Sequence, residues 1–213
     1  MRHAIPEILL GVVLAVYWAR VLRMAYKADR RTGQAANLVP GERIGKIIRI
    51  LWTPVILIWV AHPFVTASGF GPGVLKPLYF KSWIAWPALG AATIGWLLSR
   101  ICWKVMGRQW RMGIDPAEQN QLIDRGPFGW VRHPIYSLSG MMMLATMAMI
   151  PSPLMLAAGV VHLALLGWEA IREEQHMLRV HGSRYAYYRR EVGAFLPRTY
   201  LISYVVQVIA GRF

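Results

Sequence analysis

The feature that most constrains the fold is an apolar run too long for one membrane crossing. Residues 135–168, 34 in all, contain no Asp, Glu, Lys or Arg. A single helix of that length would measure about 51 Å, whereas the hydrocarbon core of a bilayer is about 30 Å thick. A Pro-Ser-Pro segment at 151–153 interrupts the run, and proline breaks the hydrogen bonding of a helix interior. The run therefore predicts a tight hairpin of two short helices, 136–150 and 153–172.

Three further apolar blocks precede the hairpin, at 5–24, 50–75 and 82–106. The second contains no charged residue, and the first crosses the membrane if the charges near its ends reach the interfaces. Hydrophobic residues make up 56% of the chain and charged residues 16%, which is too apolar for an ordinary soluble domain. We therefore predict an all-α membrane protein with about five transmembrane helices.

The cations predict the orientation of these helices. Of the 24 Lys and Arg residues, 21 lie in 20–49, 100–134 or the tail after residue 169. Because cytoplasmic loops are rich in Lys and Arg, we expect these segments to face the cytoplasm and the N-terminus to face out. The net charge of +14 flanks apolar blocks, so it favours anionic lipid headgroups over nucleic acid as its partner. We expect an inner or cytoplasmic membrane location.

Four ionisable residues flank the predicted hairpin. Arg132 and His133 lead into its first leg, and Glu173 and Glu174 follow its second. A hairpin brings its open ends together, so these side chains should be neighbours. Ionisable groups at the edge of the membrane are functional candidates, and we predict a polar site at the mouth of an apolar cleft.

Three sequence blocks around this site resemble a known family. They are GPFGWVRHPIY from Gly126, the paired glutamates, and GSRYAYYRR from Gly182. The order RHPxY, Glu-Glu and Gly-x-x-Tyr-x-x-Tyr is similar to that of the isoprenylcysteine carboxyl methyltransferase family. This family is part of a wider group of integral-membrane methyltransferases that includes phospholipid N-methylating enzymes. The resemblance covers residues 105–198.

The resemblance implies S-adenosylmethionine as methyl donor, bound on the cytoplasmic side between the hairpin and the C-terminal segment. Arg132 and His133 suit the carboxylate of the donor, a glutamate suits its ammonium, and tyrosines suit its adenosine. The expected cofactor-binding residues are Gly126, Arg132, His133, Tyr136, Glu173, Glu174, Tyr185 and Tyr188. Arg132 and Glu174 are also predicted to be catalytic.

The resemblance further implies a lipid-like or prenylated acceptor that enters from the bilayer. Arg189 and Arg190 are the nearest cations to position a carboxylate, and Met143 suits an apolar substrate groove. The basic tail favours carboxyl O-methylation of an isoprenylcysteine-like substrate. Glu191 and Gly193 depart from the family pattern in the segment expected to meet the acceptor, so phospholipid N-methylation of a phosphatidylethanolamine-type lipid is the alternative.

Two other functions stay open. Intramembrane NADPH-dependent reductases have a comparable C-terminal pocket, and a small membrane protein can be a non-catalytic scaffold. We predict no metal site, because His176 and His181 are five residues apart rather than the four of an HExxH motif. We expect residues 1–106 to form an N-terminal unit of three helices with a cytoplasmic loop, and residues 107–213 to form the methyltransferase core.

Overall fold

A computed structural model describes residues 4–32, 42–79, 81–110, 113–114 and 121–198 of the 213-residue chain. In these residues the structure is helical apart from turns and one isolated β-bridge. The α-helices are α1 (Ala4–Thr32), α2 (Arg43–Ala67), α3 (Ser82–Met106), α4 (Pro134–Met149) and α5 (Pro153–Glu191). The prediction of an all-α protein is confirmed.

Four of these helices, α1, α2, α3 and α5, are long and apolar enough to cross a membrane. The fifth, α4, has 16 residues and would measure about 24 Å, slightly less than the hydrocarbon core. The chain is an integral membrane protein, and its helix number agrees with the predicted five. The domain boundary at residue 106 and the direction of insertion stay predictions.

The predicted hairpin is present and consists of α4 and α5. Its turn is fixed by Ser152, whose hydroxyl accepts a hydrogen bond from the backbone N–H of Met155 at 3.1 Å. Pro153 occupies the first turn of α5, where a missing N–H costs nothing. The same Pro-Ser-Pro segment that interrupts the apolar run therefore ends one helix and begins the next.

The second leg of the hairpin is longer than predicted. Helix α5 does not end at residue 172 but continues to Glu191, because no proline or glycine interrupts its charged part before Gly182. At Gly182 the backbone has φ 53° and ψ −126°, a conformation that glycine adopts without a steric cost. Beyond this break, Tyr185 and Tyr188 pack against Leu122. The tail therefore returns over the end of the bundle as a helical segment.

Helix α2 is displaced from the predicted block 50–75. It begins at Arg43 and ends at Ala67, with Pro54 and Pro63 inside it. The charge-free block identifies only the part of the helix that lies in hydrocarbon. The first turns of α2 carry cations and would lie outside the hydrocarbon, so the helix begins before the block. After Ala67 the apolar sequence forms a turn and a short 3-10 helix, Gly73–Leu75. Helix α3 agrees with its predicted bounds.

The core lies where α3 packs against α1 and α4, and where α2 packs against α1 and α5. Large buried residues from three helices meet there: Leu10, Leu14, Trp59, Met142 and Met143. Hydrogen bonds between buried polar groups join helices in this core, and a medium without water strengthens the need for such pairing. Trp59 Nε1 donates to Thr146 Oγ1 at 2.9 Å, which ties α2 to the hairpin.

Candidate active site

The site begins with a backbone contact between the start of α4 and the residues after α5. The N–H of Arg132 donates to the carbonyl of Gly193 at 2.8 Å, and the N–H of His133 donates to Ala194 O at 3.0 Å. A Cβ at Gly193 would lie 1.9 Å from the carbonyl oxygen of Leu196, so this close turn requires glycine. Residues 192–195, which we call the closing segment, thus lie against the RHPxY motif.

Glu174 is at the centre of an anchor cluster formed with Arg132, His133 and Arg189. Its Oε1 accepts from Arg132 Nε at 2.9 Å and from Arg132 Nη2 at 2.6 Å. His133 Nε2 lies 3.3 Å from the same oxygen, and Arg189 Nε lies 3.1 Å from Oε2. The Glu174 side chain is only 12% exposed. Three cationic side chains therefore compensate one largely buried carboxylate.

Arg132 also holds the end of α5. Its Nη1 donates to the carbonyl oxygens of Arg189 and Val192. A guanidinium has five N–H groups, and four of them bind protein acceptors here, two on Glu174 and two on carbonyls. The guanidinium therefore connects the hairpin to the closing segment.

Glu173 lies on a different face of α5 from its neighbour. Its Oε1 accepts from the Tyr136 hydroxyl, and its Oε2 lies 3.4 Å from His133 Nδ1. The rings of His133 and Tyr136 are stacked, with centroids 5.6 Å apart and planes at 4°. The Glu173 side chain is 29% exposed. It is thus the more accessible of the two glutamates.

His133 lies between the two carboxylates, one at each ring nitrogen. Burial alone lowers the pKa of His133, but the hydrogen bonds and negative charges of Glu173 and Glu174 outweigh burial and raise this pKa to about 9. The imidazole is therefore protonated at neutral pH, and both its nitrogens donate. It supplies a positive charge at the edge of the site.

A cavity of about 160 Å³, which we call the tail cavity, lies beneath the returning end of α5. Its outer lining includes Leu122, Ile123, His176, Tyr185 and Tyr188. The Tyr188 hydroxyl donates to the carbonyl of Phe128 at 2.5 Å, which fixes the tyrosine against the turn that precedes α4. The tail cavity combines aromatic walls with polar groups.

A second cavity of about 160 Å³, the membrane-side cavity, lies among α1, α2, α3 and the hairpin. Apolar residues form most of its surface, among them Trp18, Ile48, Trp52, Trp103 and Leu166. The two cavities share one wall, which contains Met106, Phe128, Arg132, His133 and Glu173. A cavity beneath the returning tail and a cavity among the membrane-crossing helices therefore meet at the RHPxY motif and Glu173.

Sequence reasoning missed the charged residues of the membrane-side cavity. Glu42, Arg49 and Glu169 line it, and Arg172 joins two of them by ion pairs with Glu42 and Glu169. Glu169 is buried. A signal for it was available, because Glu169 is the first charge after the uncharged run and precedes Glu173 by four residues. Residues spaced i, i+4 share a helix face.

The structure brings most of the predicted site residues together. Arg132, His133, Glu173, Tyr185 and Tyr188 line the tail cavity. Tyr136 lines the membrane-side cavity, and Glu174 supports the shared wall from behind through Arg132 and His133. These residues come from α4, α5 and the turn between α3 and α4, as the resemblance implied. Their binding roles stay predictions.

Four predicted residues lie elsewhere. Met143 is fully buried in the core and lines neither cavity. Gly126 is exposed at a turn with φ 59°, outside both linings. Arg190 pairs with Glu191 at 3.1 Å on the surface, and Arg189 belongs to the anchor cluster. In this arrangement neither arginine reaches the membrane-side cavity.

Comparison with known proteins agrees with this geometry. The phospholipid methyltransferase family model matches residues 84–184, from the first turn of α3 to just beyond the break in α5. Over these residues the chain is similar to that family of membrane methyltransferases. The resemblance to the isoprenylcysteine carboxyl methyltransferases, a close relative in the same group, is thereby confirmed at the level of the group.

The chain is also similar to the nickel-cobalt-cadmium resistance protein NccN of Alcaligenes xylosoxydans xylosoxydans. The two are 28% identical over 128 residues, which cover 58% of this chain and 59% of that protein. The matched part is thus less than two thirds of the length of NccN.

Proposed function

We propose that this protein is an integral-membrane, S-adenosylmethionine-dependent methyltransferase whose methyl acceptor is a membrane lipid. One observation carries the proposal: a cavity beneath the returning tail and a cavity among the membrane-crossing helices share the wall formed by Arg132, His133 and Glu173. A water-soluble methyl donor fits the tail cavity, and a lipid fits the membrane-side cavity. The reacting groups would meet at the shared wall.

The residues of the tail cavity suit the methyl donor. The donor carries an ammonium, a carboxylate and an adenine ring. Glu173 offers a carboxylate for the ammonium, the His133 imidazolium offers a charge-assisted donor for the carboxylate, and Tyr185 offers an aromatic wall for the adenine. When bound, S-adenosylmethionine supplies an electrophilic methyl group on its sulfonium.

In this proposal Arg132 and Glu174 position other groups, instead of contacting the reactants as catalytic residues. Each is directed at the other and at neighbouring protein groups. Arg132 and Glu174 hold the closing segment and the end of α5 over the tail cavity. Alignment of donor and acceptor and exclusion of water are what a methyl displacement needs most from a protein.

An amine head group is the acceptor that we propose first. The matching family is described as phospholipid methyltransferase, and a lipid ammonium must lose a proton before its nitrogen can attack. Glu169, buried in the membrane-side cavity, is a carboxylate placed to accept that proton. Glu174 is less suited, because three cations surround it.

Carboxyl O-methylation is the second candidate, and Arg49 favours it. Arg49 lines the membrane-side cavity and could position a carboxylate, the role that the sequence assigned to Arg189 and Arg190. A carboxylate needs no base, so this reaction would not depend on Glu169 for a proton. The two acceptors therefore predict different effects of the same substitution.

The test supplies purified full-length protein with radiolabelled S-adenosylmethionine and either phosphatidylethanolamine vesicles or a prenylated cysteine analogue. Base-stable N-methyl lipid supports the first acceptor, and base-labile methyl ester supports the second. For N-methylation, Glu169→Gln should lower kcat at least a hundredfold, because general-base catalysis contributes about 10²–10⁴-fold. Glu191→Gln, a change of the same kind outside both cavities, is the matched control and should stay within twofold.

The proposal as a whole fails if neither lipid is labelled and S-adenosylhomocysteine does not raise the melting temperature. Stabilisation by NADPH instead would favour the reductase, and stabilisation by neither would favour the scaffold. The name of the NccN relative refers to metal resistance. Within the described part of the chain, no group of three or more His, Cys, Asp or Glu side chains is placed to hold a metal ion, and our proposal includes none.

A further inference from the structure

A wide basic groove lies between α1 and α3, beside the candidate active site. Its volume is about 750 Å³. Five cationic side chains line it: Arg20, Lys27, Arg100, Lys104 and Arg108. The described residues that line the groove include no aspartate or glutamate. This differs from both cavities of the active site, in which carboxylates accompany the cations.

The spacing of these cations places like charges next to each other. Arg100 and Lys104 are four residues apart on α3, and like charges at i, i+4 destabilise a helix. Arg20 and Lys27 are seven residues apart on α1, two turns along one face. All four are exposed. A bound anion would offset their mutual repulsion.

Apolar side chains continue the groove along α3. Leu97 and Ile101 line it and are 45% and 49% exposed. They precede Lys104 by about 10 Å and 5 Å along the helix axis, at 1.5 Å per residue. An inorganic phosphate would use the cations alone. A phospholipid would use both surfaces, its phosphate at the cations and its acyl chains at the apolar residues.

We propose that the basic groove binds the phosphate of an anionic phospholipid whose acyl chains lie against Leu97 and Ile101. Trp103 and Trp110 line both the groove and the membrane-side cavity. The bound lipid thus lies beside the cavity that we assign to the acceptor, separated from it by two indole rings. Lysine and arginine near a membrane surface each attract anionic lipid.

The test measures binding and does not depend on methyl transfer. Full-length protein in neutral detergent is titrated with fluorescent phosphatidylglycerol or phosphatidylcholine. We expect phosphatidylglycerol to bind at least tenfold more tightly, with this preference falling as salt rises. The double substitution Arg100→Gln with Lys104→Gln should weaken phosphatidylglycerol binding at least tenfold. The control Arg23→Gln with Lys46→Gln removes two exposed cations outside the groove and should change it less than twofold.

Three outcomes would overturn the proposal. The first is equal binding of the two lipids by the unaltered protein. The second is an equal loss of binding in the groove variant and the control variant. The third is full displacement of phosphatidylglycerol by millimolar inorganic phosphate, which would indicate a phosphate site. If the groove variant does not fold, the double substitution Arg100→Lys with Lys104→Arg, which keeps both charges, is measured in its place. Retained lipid preference in that variant supports the proposal, and its loss contradicts it.

Discussion

Glu173 and Glu174 are adjacent in the sequence, yet they belong to two different regions of the molecule. Glu174 is 12% exposed and meets three cationic side chains in the anchor cluster. Glu173 is 29% exposed, meets a tyrosine hydroxyl and His133, and lines both cavities. Adjacent residues of a helix point about 100° apart. Two adjacent glutamates can therefore have different roles: one stabilises the fold, and the other faces the cavities in which we propose that the ligands bind.

The largest expected effect is the loss of stability when Glu174 is removed. Glu174→Ala leaves Arg132 and His133 partly buried without their shared carboxylate, and removal of one partner of a buried ion pair costs about 3–5 kcal/mol. We expect a lower melting temperature in detergent. We also expect faster proteolysis of the tail after Gly182, because the anchor cluster holds the closing segment.

Asp124→Ala is the matched control for Glu174→Ala. Asp124 and Arg184 form an ion pair at 3.4 Å, but their side chains are 48% and 67% exposed. Exposed pairs contribute about 0–1 kcal/mol. Equal melting temperatures of the two variants would contradict the anchoring role of Glu174.

The second effect is a loss of stability in alkaline solution, caused by His133. Its pKa is about 9 in the folded protein, above the value of about 6.5 in an unfolded chain. A raised pKa stabilises the fold fully below about pH 6.5, and this contribution disappears as pH rises through about 9. Its size is about 3 kcal/mol at most, from about 1.4 kcal/mol per pKa unit.

The pH effect is isolated by measuring melting temperatures from pH 6 to pH 10 for the unaltered protein and for His133→Gln. The difference between the two should be largest at pH 6, should shrink as pH rises from about 6.5 to about 9, and should be nearly gone at pH 10. A difference that is constant over this range would show that His133 does not titrate between the two glutamates.

The third effect concerns affinity, with stability preserved. Glu173→Gln keeps an oxygen that can accept from the Tyr136 hydroxyl but removes the charge that we assign to the donor ammonium. We expect the Kd of S-adenosylhomocysteine, measured by calorimetry, to rise at least tenfold while the melting temperature stays close to that of the unaltered protein. A large fall in melting temperature with unchanged affinity would reverse the roles of the two glutamates.

The sequence predicted the parts of the site that local patterns determine. The charge-free run and its Pro-Ser-Pro segment predicted the hairpin, and the hairpin placed Arg132 and His133 near Glu173 and Glu174. The apolar block at 82–106 also predicted the bounds of α3, since both its ends coincide with changes in polarity. These features depend on helix geometry and on the thickness of the bilayer, which are the same in every membrane protein.

Other features depend on contacts between distant segments and could not be read in this way. The break at Gly182 lets the end of α5 change direction, but the sequence does not show which residues it then packs against. Glu42, Arg49 and Glu169 become neighbours only because α2 lies against α5. Met143 was predicted to line a substrate groove, but its side chain is buried in the core. The sequence could not separate these two positions, because an apolar residue is equally compatible with a protein core and with a lipid-binding cavity.

The smallest effect is expected at Arg190. Its side chain is 75% exposed, pairs with Glu191 and lies over the Tyr187 ring at 5.3 Å. We expect Arg190→Gln to change the Kd of S-adenosylhomocysteine and the KM for the lipid acceptor less than twofold, because exposed ion pairs contribute little. A tenfold rise in KM would restore the substrate-binding role that the sequence suggested.

Mapping where the methyl donor binds tests most directly whether the tail cavity is the donor site. A photoreactive S-adenosylhomocysteine with an azide on its adenine is irradiated with the full-length protein, and labelled peptides are identified by mass spectrometry. We expect label in the walls of the tail cavity, at 121–128 and 176–188, and no label when unmodified S-adenosylhomocysteine is in excess. If label instead appears on Trp18, Ile48 or Trp52 and is abolished by excess unmodified S-adenosylhomocysteine, the donor binds in the membrane-side cavity. That result would contradict the assignment of donor and acceptor to separate cavities.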